Sequence, residues 1–282
     1  MAAALTTLSE QKCWTGTVGF YEHASSSTGG TMRLGVFRPP GRGPFPVLTY
    51  LAGLTCTEET FLIKAGAARY AAEAGIMLVA PDTSPRGHNV PGEADAWDFG
   101  VGAGFYLDAT QQPWAAHWRM ETYVTSELPA LVAAHFPADP DYQGIFGHSM
   151  GGHGALTLAL RHPGKWRSVS AFAPICAPTR CPWGEKAFTG YLGPNHDLWA
   201  EHDACELLRT RGPLPLQLLV DQGQSDKFLS DQLKPELLEE AAEVTGQRLT
   251  LRRHAGYDHS YWFIQTFMAD HLAHHAQALT PA

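Results

Sequence analysis

The chain contains 282 residues, and 44% of them are hydrophobic, which is enough to bury a sizeable core. Its formal net charge is -8 at pH 7 and no Lys/Arg cluster recurs along it, which argues against nucleic acid or an anionic membrane surface as a partner. The five cysteines lack CxxC or zinc-type spacing, and neither a secretion signal nor a long apolar run occurs, so we expect a cytoplasmic protein outside the membrane.

Short apolar runs bounded by glycine, proline or asparagine predict strands, and the longer stretches between them show helical spacing. The strands are predicted at residues 17–23, 31–38, 46–52, 76–80, 143–147, 168–173, 216–221 and 248–254. The helices are predicted at residues 60–73, 118–135, 150–161, 230–245 and 259–276. Residues 82–117 and 174–200 are predicted to be long irregular insertions, a type of segment that often carries function.

The order of these elements predicts the fold class. The first three strands follow one another without a helix, which favours antiparallel pairing, and strands and helices alternate after them. We therefore expect an α/β protein with a mostly parallel central sheet, antiparallel N-terminal strands and helices on both faces. No repeat or low-complexity linker divides the chain, so residues 1–282 are predicted to form one domain.

The stretch GIFGHSMGGHGAL, residues 144–156, places Ser149 between glycines, directly after a predicted strand and before a predicted helix. A GxSxG sequence in this context is typical of a nucleophile elbow, in which glycines relieve crowding in a strained turn that holds the hydroxyl clear of the sheet. The alternative is a serine that only caps the helix. Because strand, motif and helix coincide, the sequence favours a nucleophile.

A serine hydroxyl needs a base and an orienting carboxylate, and in this type of fold the acid and then the histidine follow the serine along the chain. Asp221 and Asp226 follow one of the last two predicted strands, and His259 follows the other. We prefer Asp226 because it lies farther into its loop, where a side chain can reach across the carboxyl edge of the sheet, whereas Asp221 closes its strand and could simply form a hydrogen bond with backbone at the turn. His259 lies in the loop before the final helix, where the base is expected.

The other histidines are weaker candidates. His254 ends a strand, and His148 and His153 flank the serine too closely to approach its hydroxyl from another loop. The sequence HLAHH at residues 271–275 has the spacing of a metal-binding pair, but it lacks neighbouring carboxylate or cysteine partners. We therefore expect a solvated helix face there, and no metal site.

The tetrahedral intermediate also requires backbone N–H donors for its oxyanion. One predicted donor is the N–H of Met150, the residue after the serine. The second should come from the loop after the third predicted strand, YLAGLTCTEETF, in which Gly53 and Leu54 occupy the turn. We therefore expect the N–H of Leu54 to be the second donor.

Eight motifs follow one another along the chain: YLAGLTCTEETF, PDTSPRG, WDFGVGAGFYLDAT, FGHSMGGHGAL, SAFAPICAP, WGEKAFTGYLG, DQGQSDKFL and GYDHSYWFI. In this order they resemble the S-formylglutathione hydrolases, also called the esterase D family, over nearly the whole chain. The resemblance implies the α/β-hydrolase fold and a cytosolic serine thioesterase that hydrolyses S-formylglutathione to formate and glutathione in formaldehyde detoxification. It implies a small-molecule substrate and no cofactor, and because the family often forms dimers, it is compatible with a homodimer.

The resemblance also assigns residues to roles. By the matching motifs, the family's catalytic triad falls on Ser149, Asp226 and His259. Its oxyanion donors fall on Leu54 and Met150. These assignments agree with the expectations from chain order.

Other residues are expected near the site, each with two possible roles. Cys56 in LTCT matches a family cysteine near the active site, and the resemblance implies sensitivity to thiol reagents; we expect it to modulate activity, with a packed side chain as the alternative. Aromatic residues of the two insertions could wall a narrow acyl pocket or pack only within the loops. They are Trp97, Phe105, Trp183 and Phe188.

Three other functions are compatible with these motifs. A general short-chain carboxylesterase would be recognised by comparing kcat/KM on S-formylglutathione with that on p-nitrophenyl acetate. An acyltransferase on the same fold would need an acceptor alcohol rather than water. A catalytically inactive binding module would fail to react with a fluorophosphonate at Ser149.

Overall fold

Residues 3–280 are described by a computed structural model. Within them nine strands form one sheet: β1 (Leu5–Cys13), β2 (Gly16–Ala24), β3 (Thr31–Arg38), β4 (Phe45–Leu51), β5 (Met77–Pro81), β6 (Ala138–His148), β7 (Ser168–Phe172), β8 (Leu218–Gly223) and β9 (Leu249–His254). Their order across the sheet is β1-β2-β3-β5-β4-β6-β7-β8-β9.

The sheet has two directional parts. Strands β1, β2 and β3 pair antiparallel, and β3 is also antiparallel to β5. Every pair from β5 through β4, β6, β7 and β8 to β9 is parallel. The prediction of an α/β fold with a mostly parallel sheet and antiparallel N-terminal strands is confirmed.

The described residues contain ten α-helices: α1 (Glu58–Lys64), α2 (Ala67–Ala74), α3 (Met120–Thr122), α4 (Leu128–His135), α5 (Met150–Arg161), α6 (Pro182–Leu192), α7 (His196–Ala200), α8 (Ala204–Arg211), α9 (Pro235–Thr245) and α10 (Tyr261–Leu279). A wider π-helical turn, Tyr123–Glu127, joins α3 to α4. None of the helices in residues 3–280 combines the length and the apolar character needed to cross a bilayer.

The observed elements differ from the predicted ones at two places in the N-terminal part of the chain. No strand was predicted before residue 17, yet β1 forms the edge of the sheet; its side chains are exposed or only partly buried, so it lacks the apolar alternation that marks an internal strand. The predicted helix 60–73 is divided into α1 and α2. The division falls at Gly66, whose φ of 65° is left-handed and cannot continue a right-handed helix.

Residues 174–200 were predicted to be an irregular insertion, and this prediction is wrong. The segment contains α6 and α7, and α8 follows it. The start of α6 has Pro182 in its first turn, where a missing N–H is tolerated. Its buried side chains recur at helical spacing, a signal that the many glycines and prolines nearby obscured. They are Trp183, Ala187, Phe188, Tyr191 and Leu192.

Helix α10 packs on the sheet through buried histidines. His271 and His275 are fully buried, and Ser170 Oγ lies 2.8 Å from a ring nitrogen of each, while Ser168 Oγ lies 2.7 Å from His275 Nδ1. Burial lowers the pKa of both imidazoles. The prediction of a solvated helix face at residues 271–275 is therefore wrong, because the hydroxyl groups of β7 supply the partners that let neutral imidazoles be buried.

The parallel strands bring distant segments together at one edge of the sheet. Ser149 follows β6, Asp226 follows β8 and His259 follows β9, while Gly53 lies just after β4. In open α/β sheets this carboxyl edge is where ligands bind. The candidate site lies there.

Candidate active site

Ser149 lies in the turn between β6 and α5 with φ 57° and ψ -120°, a conformation that residues with a side chain adopt rarely. Glycines make the turn possible. A Cβ atom on Gly147 would lie 2.3 Å from the carbonyl oxygen of Gly151, and one on Gly151 would lie 1.9 Å from that of Leu51. Within the described chain the serine hydroxyl makes no capping hydrogen bond to α5, so the geometry is that of a nucleophile elbow.

His259 is paired with a buried carboxylate. Its Nδ1 lies 2.5 Å from Oδ2 of Asp226, and because an ionised carboxylate only accepts, Nδ1 carries the proton and Nε2 is the free base. Asp226 accepts two further hydrogen bonds, from the Phe228 N–H at 2.9 Å and from Gln222 Nε2 at 3.4 Å. These contacts fix the orientation of the carboxylate and, through it, of the imidazole.

The other acid, Asp221, belongs to a different network. Arg252 donates two hydrogen bonds of 2.6 Å to its carboxylate, and rings of His271 and His254 lie 3.3 Å away. Burial alone would raise the pKa of Asp221, but the hydrogen bonds from His271 and Arg252 outweigh it and hold the pKa well below its usual range. Asp221 therefore stabilises the sheet and forms no hydrogen bond with His259.

Ser149 and His259 line the same cavity, of about 210 Å³. Most of its wall consists of rings that contact one another in series. The distances between ring centres are 5.6 Å for Trp97–Trp183, 4.7 Å for Trp183–Phe228, 5.1 Å for Phe228–His259, 4.3 Å for His259–His148 and 6.1 Å for His148–Tyr261. A cavity this small and this apolar suits a short acyl group.

Two of the four aromatic residues predicted to wall an acyl pocket are placed elsewhere. Trp97 and Trp183 line the cavity, whereas Phe105 and Phe188 do not. Both phenylalanines are fully buried, their ring centres lie 6.4 Å apart, and Phe105 lies 5.9 Å from the ring of His153. They form a layer of the core behind the site, a distinction that aromatic composition alone cannot make.

His148, which the sequence did not favour as the base, lines the cavity. It directly precedes Ser149, yet its ring packs against that of His259. In residues 3–280 neither of its ring nitrogens has a hydrogen-bond partner. Burial first, and the nearby His259 second, hold the pKa of His148 well below its usual range. The ring is therefore neutral and adds no positive charge beside the base.

The turn after β4 passes directly beside the serine. A Cβ atom on Gly53 would lie 3.1 Å from the Cβ of Ser149. Met150 begins α5, where an N–H has no partner in its own helix, and the Leu54 N–H donates to no acceptor within the described residues. Two free backbone donors beside a serine are what an oxyanion hole requires.

Side chains of the PDTSPRG segment hold this turn from behind. The carbonyl oxygen of Cys56 accepts hydrogen bonds from Thr83 Oγ1 at 2.6 Å and from Arg86 Nη2 at 3.3 Å. Arg86 in turn pairs with buried Asp82, with Nε 2.6 Å from Oδ2. The sequence identified this segment only as part of a family pattern, because a side chain that supports a backbone carbonyl carries no motif of its own.

Cys56 also lines the cavity. Burial raises its pKa, although hydrogen bonds involving Thr60 and Tyr261 and the nearby Lys64 ammonium oppose the shift. A thiol with a raised pKa is protonated at neutral pH and is a poor nucleophile. Its environment therefore differs from that of a reactive cysteine.

Comparison with known proteins gives matches over nearly the full length. The Esterase family model, described as "Putative esterase", matches residues 25–274. The S-formylglutathione hydrolase of Mus musculus is 51% identical over 279 residues, which cover 98% of this chain and 99% of that protein. The one of Paracoccus denitrificans is 52% identical over 281 residues, which cover 99% and 100%.

The chain belongs to the S-formylglutathione hydrolase family of esterases. A solved structure of an S-formylglutathione hydrolase from Agrobacterium tumefaciens is 48% identical and has a TM-score of 0.95 over 98% of this chain and 100% of that chain. The resemblance noted from eight motifs is thus confirmed. The two chains share their fold over nearly the whole length.

Proposed function

We propose that the protein hydrolyses S-formylglutathione to glutathione and formate through an acyl-serine intermediate, with Ser149, Asp226 and His259 as its catalytic triad. The 2.5 Å contact of His259 Nδ1 with Asp226 Oδ2, beside the cavity that Ser149 lines, is the observation that supports this most directly. Full-length similarity to proteins named S-formylglutathione hydrolase supports the choice of substrate.

Acylation uses the serine as nucleophile and the histidine as base and then acid. Ser149 Oγ attacks the thioester carbonyl carbon while His259 Nε2 accepts the hydroxyl proton, and the N–H groups of Leu54 and Met150 donate to the oxyanion. The carbon–sulfur bond then breaks, and His259 protonates the departing sulfur. A thiol has a pKa of roughly 8.5, so the sulfur leaves far more readily than an amine would.

Deacylation follows the same steps with water as the nucleophile. His259 Nε2 accepts a proton from water as its oxygen attacks the formyl-serine carbonyl. The Ser149 oxygen leaves and regains its proton from His259. Formic acid departs and ionises to formate, and the enzyme returns to its starting state.

The residues around the triad restrict the acyl group and tune the site. We propose that Trp97 and Trp183 bound the acyl pocket, because their rings lie on the cavity wall. Cys56 is proposed to modulate activity without acting as a nucleophile. Its position on the cavity wall means that any group attached to its sulfur would narrow the site.

The proposed function is tested with purified protein and two substrates, S-formylglutathione and p-nitrophenyl acetate. The wild-type protein should give a much larger kcat/KM on S-formylglutathione. Ser149→Ala should reduce turnover of both substrates to background while its circular dichroism spectrum is unchanged. Turnover by Ser149→Ala, or no hydrolysis of S-formylglutathione by the wild type, would contradict the proposal.

A second activity, hydrolysis of short-chain carboxylic esters, is favoured by the esterase family match and by the small apolar cavity. With p-nitrophenyl esters of increasing acyl length, kcat/KM should fall steeply once the chain outgrows the cavity. Equal rates on acetyl and octanoyl esters would show that the cavity does not hold the acyl group.

We further propose that residues 1–282 form one domain, because one sheet includes strands from Leu5 to His254. A cytoplasmic location is proposed because all five cysteines are free, as expected in a reducing compartment. A homodimer is proposed from the family resemblance. Sedimentation analysis tests the oligomeric state, and a mass of 30.7 kDa would indicate a monomer.

A further inference from the structure

We propose that Lys64 and Lys227, at the mouth of the cavity, bind the carboxylate groups of the glutathione part of the substrate. The inference rests on the proposed function and adds to it the residues that select the thiol half of the thioester. It follows from the size of the cavity, from the contacts of the two ammonium groups and from the charge of the tripeptide.

The cavity is too small for the whole substrate. Its volume of about 210 Å³ lies below the roughly 300–1,000 Å³ of pockets that enclose a drug-sized ligand. A formyl group and the thioester sulfur fit beside Ser149, so the tripeptide has to extend across the rim. Glutathione carries two carboxylates and one ammonium at neutral pH, so the rim meets a ligand with net negative charge.

Lys227 stands at one side of this rim. It directly follows Asp226, its side chain is exposed, and its ammonium lies 4.9 Å from the centre of the Phe228 ring. Phe228 lines the cavity and packs against His259. The ammonium is thus beside a ring of the cavity wall.

Lys64 occupies a second position on the rim. It ends α1, its side chain is exposed, and its ammonium lies 6.0 Å from the centre of the Tyr261 ring. Tyr261 lines the cavity next to Cys56. Phe228 and Tyr261 belong to the same series of rings and are separated in it by His259 and His148. The two ammonium groups therefore mark two points of the mouth.

Both charges are available to a ligand. Within residues 3–280 neither lysine forms an ion pair, in contrast to Lys186, which is paired with Asp98. Contact with an aromatic face holds an ammonium near one place without neutralising it. The chain as a whole carries a net charge of -8 and would repel an anion, so local cations at the mouth are needed to attract one.

The experiment compares a charged and a neutral substrate in Lys64→Gln, Lys227→Gln and the double variant. Each single change should raise KM for S-formylglutathione about two- to five-fold, the range of a solvent-exposed ion pair, and the double change about ten-fold, with kcat preserved. Kinetic constants for p-nitrophenyl acetate should not change, because this substrate has no carboxylate.

Lys165→Gln is the matched control. Its ammonium also lies over an aromatic ring, 5.7 Å from the centre of Trp166, but it precedes β7 and so belongs to the opposite edge of the sheet. It should leave KM for both substrates unchanged. Raising the ionic strength should increase KM for S-formylglutathione in the wild type and much less in the double variant.

The outcomes separate the inference from the proposed function. An unchanged KM for S-formylglutathione in the double variant, with turnover intact, overturns the role of the lysines and leaves the hydrolase activity standing. Equal losses of kcat/KM on both substrates also overturn it, because they would mean that the lysines stabilise the active site and do not bind the tripeptide. Failure of the wild type to hydrolyse S-formylglutathione refutes the proposed function itself.

Discussion

Asp221 lies in β8 and Asp226 in the loop that follows it, but their carboxylates have different partners. Asp221 is paired with the permanently charged Arg252 and forms no hydrogen bond with His259. Asp226 contacts the imidazole of His259, which gains and loses a proton in the proposed mechanism. Only the second arrangement lets a carboxylate stabilise a charge that appears in the transition state.

We expect Asp226→Asn to lower kcat by about 10⁴, as a comparable change does in a serine protease, because the amide cannot stabilise the imidazolium and allows the wrong tautomer. Steady-state kinetics on S-formylglutathione measures the loss. A decrease of less than ten-fold would show that another group orients His259.

Asp221→Asn is the matched acid substitution with the opposite expected result. It removes the buried partner of Arg252, and because the guanidinium is partly exposed, we expect a loss of about 2–3 kcal/mol in unfolding free energy. Urea unfolding measures this, and kcat in the folded protein should stay within a few-fold of the wild type. A large loss of kcat without destabilisation would reverse the two roles.

At the scale of elements, the turn after β4 is shaped by side chains that do not line the cavity. Thr83 and Arg86 bind the carbonyl oxygen of Cys56, which fixes the peptide groups on the far side of the turn. A backbone donor for an oxyanion is useful only when its direction is fixed before the charge develops. We therefore propose that Thr83 positions the Leu54 N–H.

Thr83→Val keeps the shape of the side chain and removes its hydroxyl. We expect kcat to fall by up to about ten-fold on both substrates with little change in KM, since the change removes the shorter of two hydrogen bonds to the Cys56 carbonyl oxygen, a loss of about 1–1.5 kcal/mol. Thr125→Val is the control, because this buried threonine bonds a carbonyl oxygen in the helical segment far along the chain from the turn. Equal effects of both changes would indicate general destabilisation.

Helix α10 makes the stability of the fold sensitive to acid. Burial lowers the pKa of His275, so below about pH 6.5 the unfolded chain binds a proton that the folded chain does not. Stability is therefore full above that pH and decreases as the pH falls, by up to about 1.4 kcal/mol per pH unit for each such histidine.

His275→Gln should reduce the number of protons bound on unfolding by up to one, and so reduce the slope of unfolding free energy against pH. This holds whatever the change does to stability at pH 7.5. Urea unfolding at pH 7.5, 6.0 and 5.0 gives the slope. His196→Gln, at an exposed position, should leave the slope unchanged. An identical slope in wild type and His275→Gln would contradict the prediction.

At the scale of the whole molecule, the site depends on four loops that only the folded sheet brings together. Gly53 and His259 are separated by most of the chain, yet both lie beside Ser149. The serine should therefore react with a fluorophosphonate in the native protein and stop reacting above the urea unfolding midpoint. Ser149→Ala should never react. Labelling of unfolded chains at the native rate would mean that the reactivity does not come from the fold.

The sequence allowed the residues of the proposed triad to be chosen because the topology restricts where they can lie. Once β6 and α5 were recognised around Ser149, the acid and the base had to follow later parallel strands, and few residues qualified. The preference for Asp226 over Asp221 rested on the length of a loop. The Arg252 guanidinium, which gives the physical reason, lies on the neighbouring strand and was not visible in the pattern.

The remaining features depend on packing between segments, which a linear pattern does not record. The burial of His271 and His275 depends on two serines of β7 that are distant in sequence. Phe105 has the same composition signal as Trp97, but one is buried behind the site and the other is at its mouth. The edge strand β1 is mostly polar and lacks a regular apolar alternation, so only its pairing with β2 identifies it.

The positive φ of Ser149 sets stability and activity against each other at one backbone position. Conformations of this kind cost of order 1–3 kcal/mol and persist only where surrounding structure enforces them. Natural selection for thermal robustness alone would favour glycine there, and it would remove the hydroxyl with the strain. Substitutions meant to raise the thermal stability of the protein should therefore leave the turn at Ser149 unchanged. They should begin at remote surface positions, such as the exposed Val244.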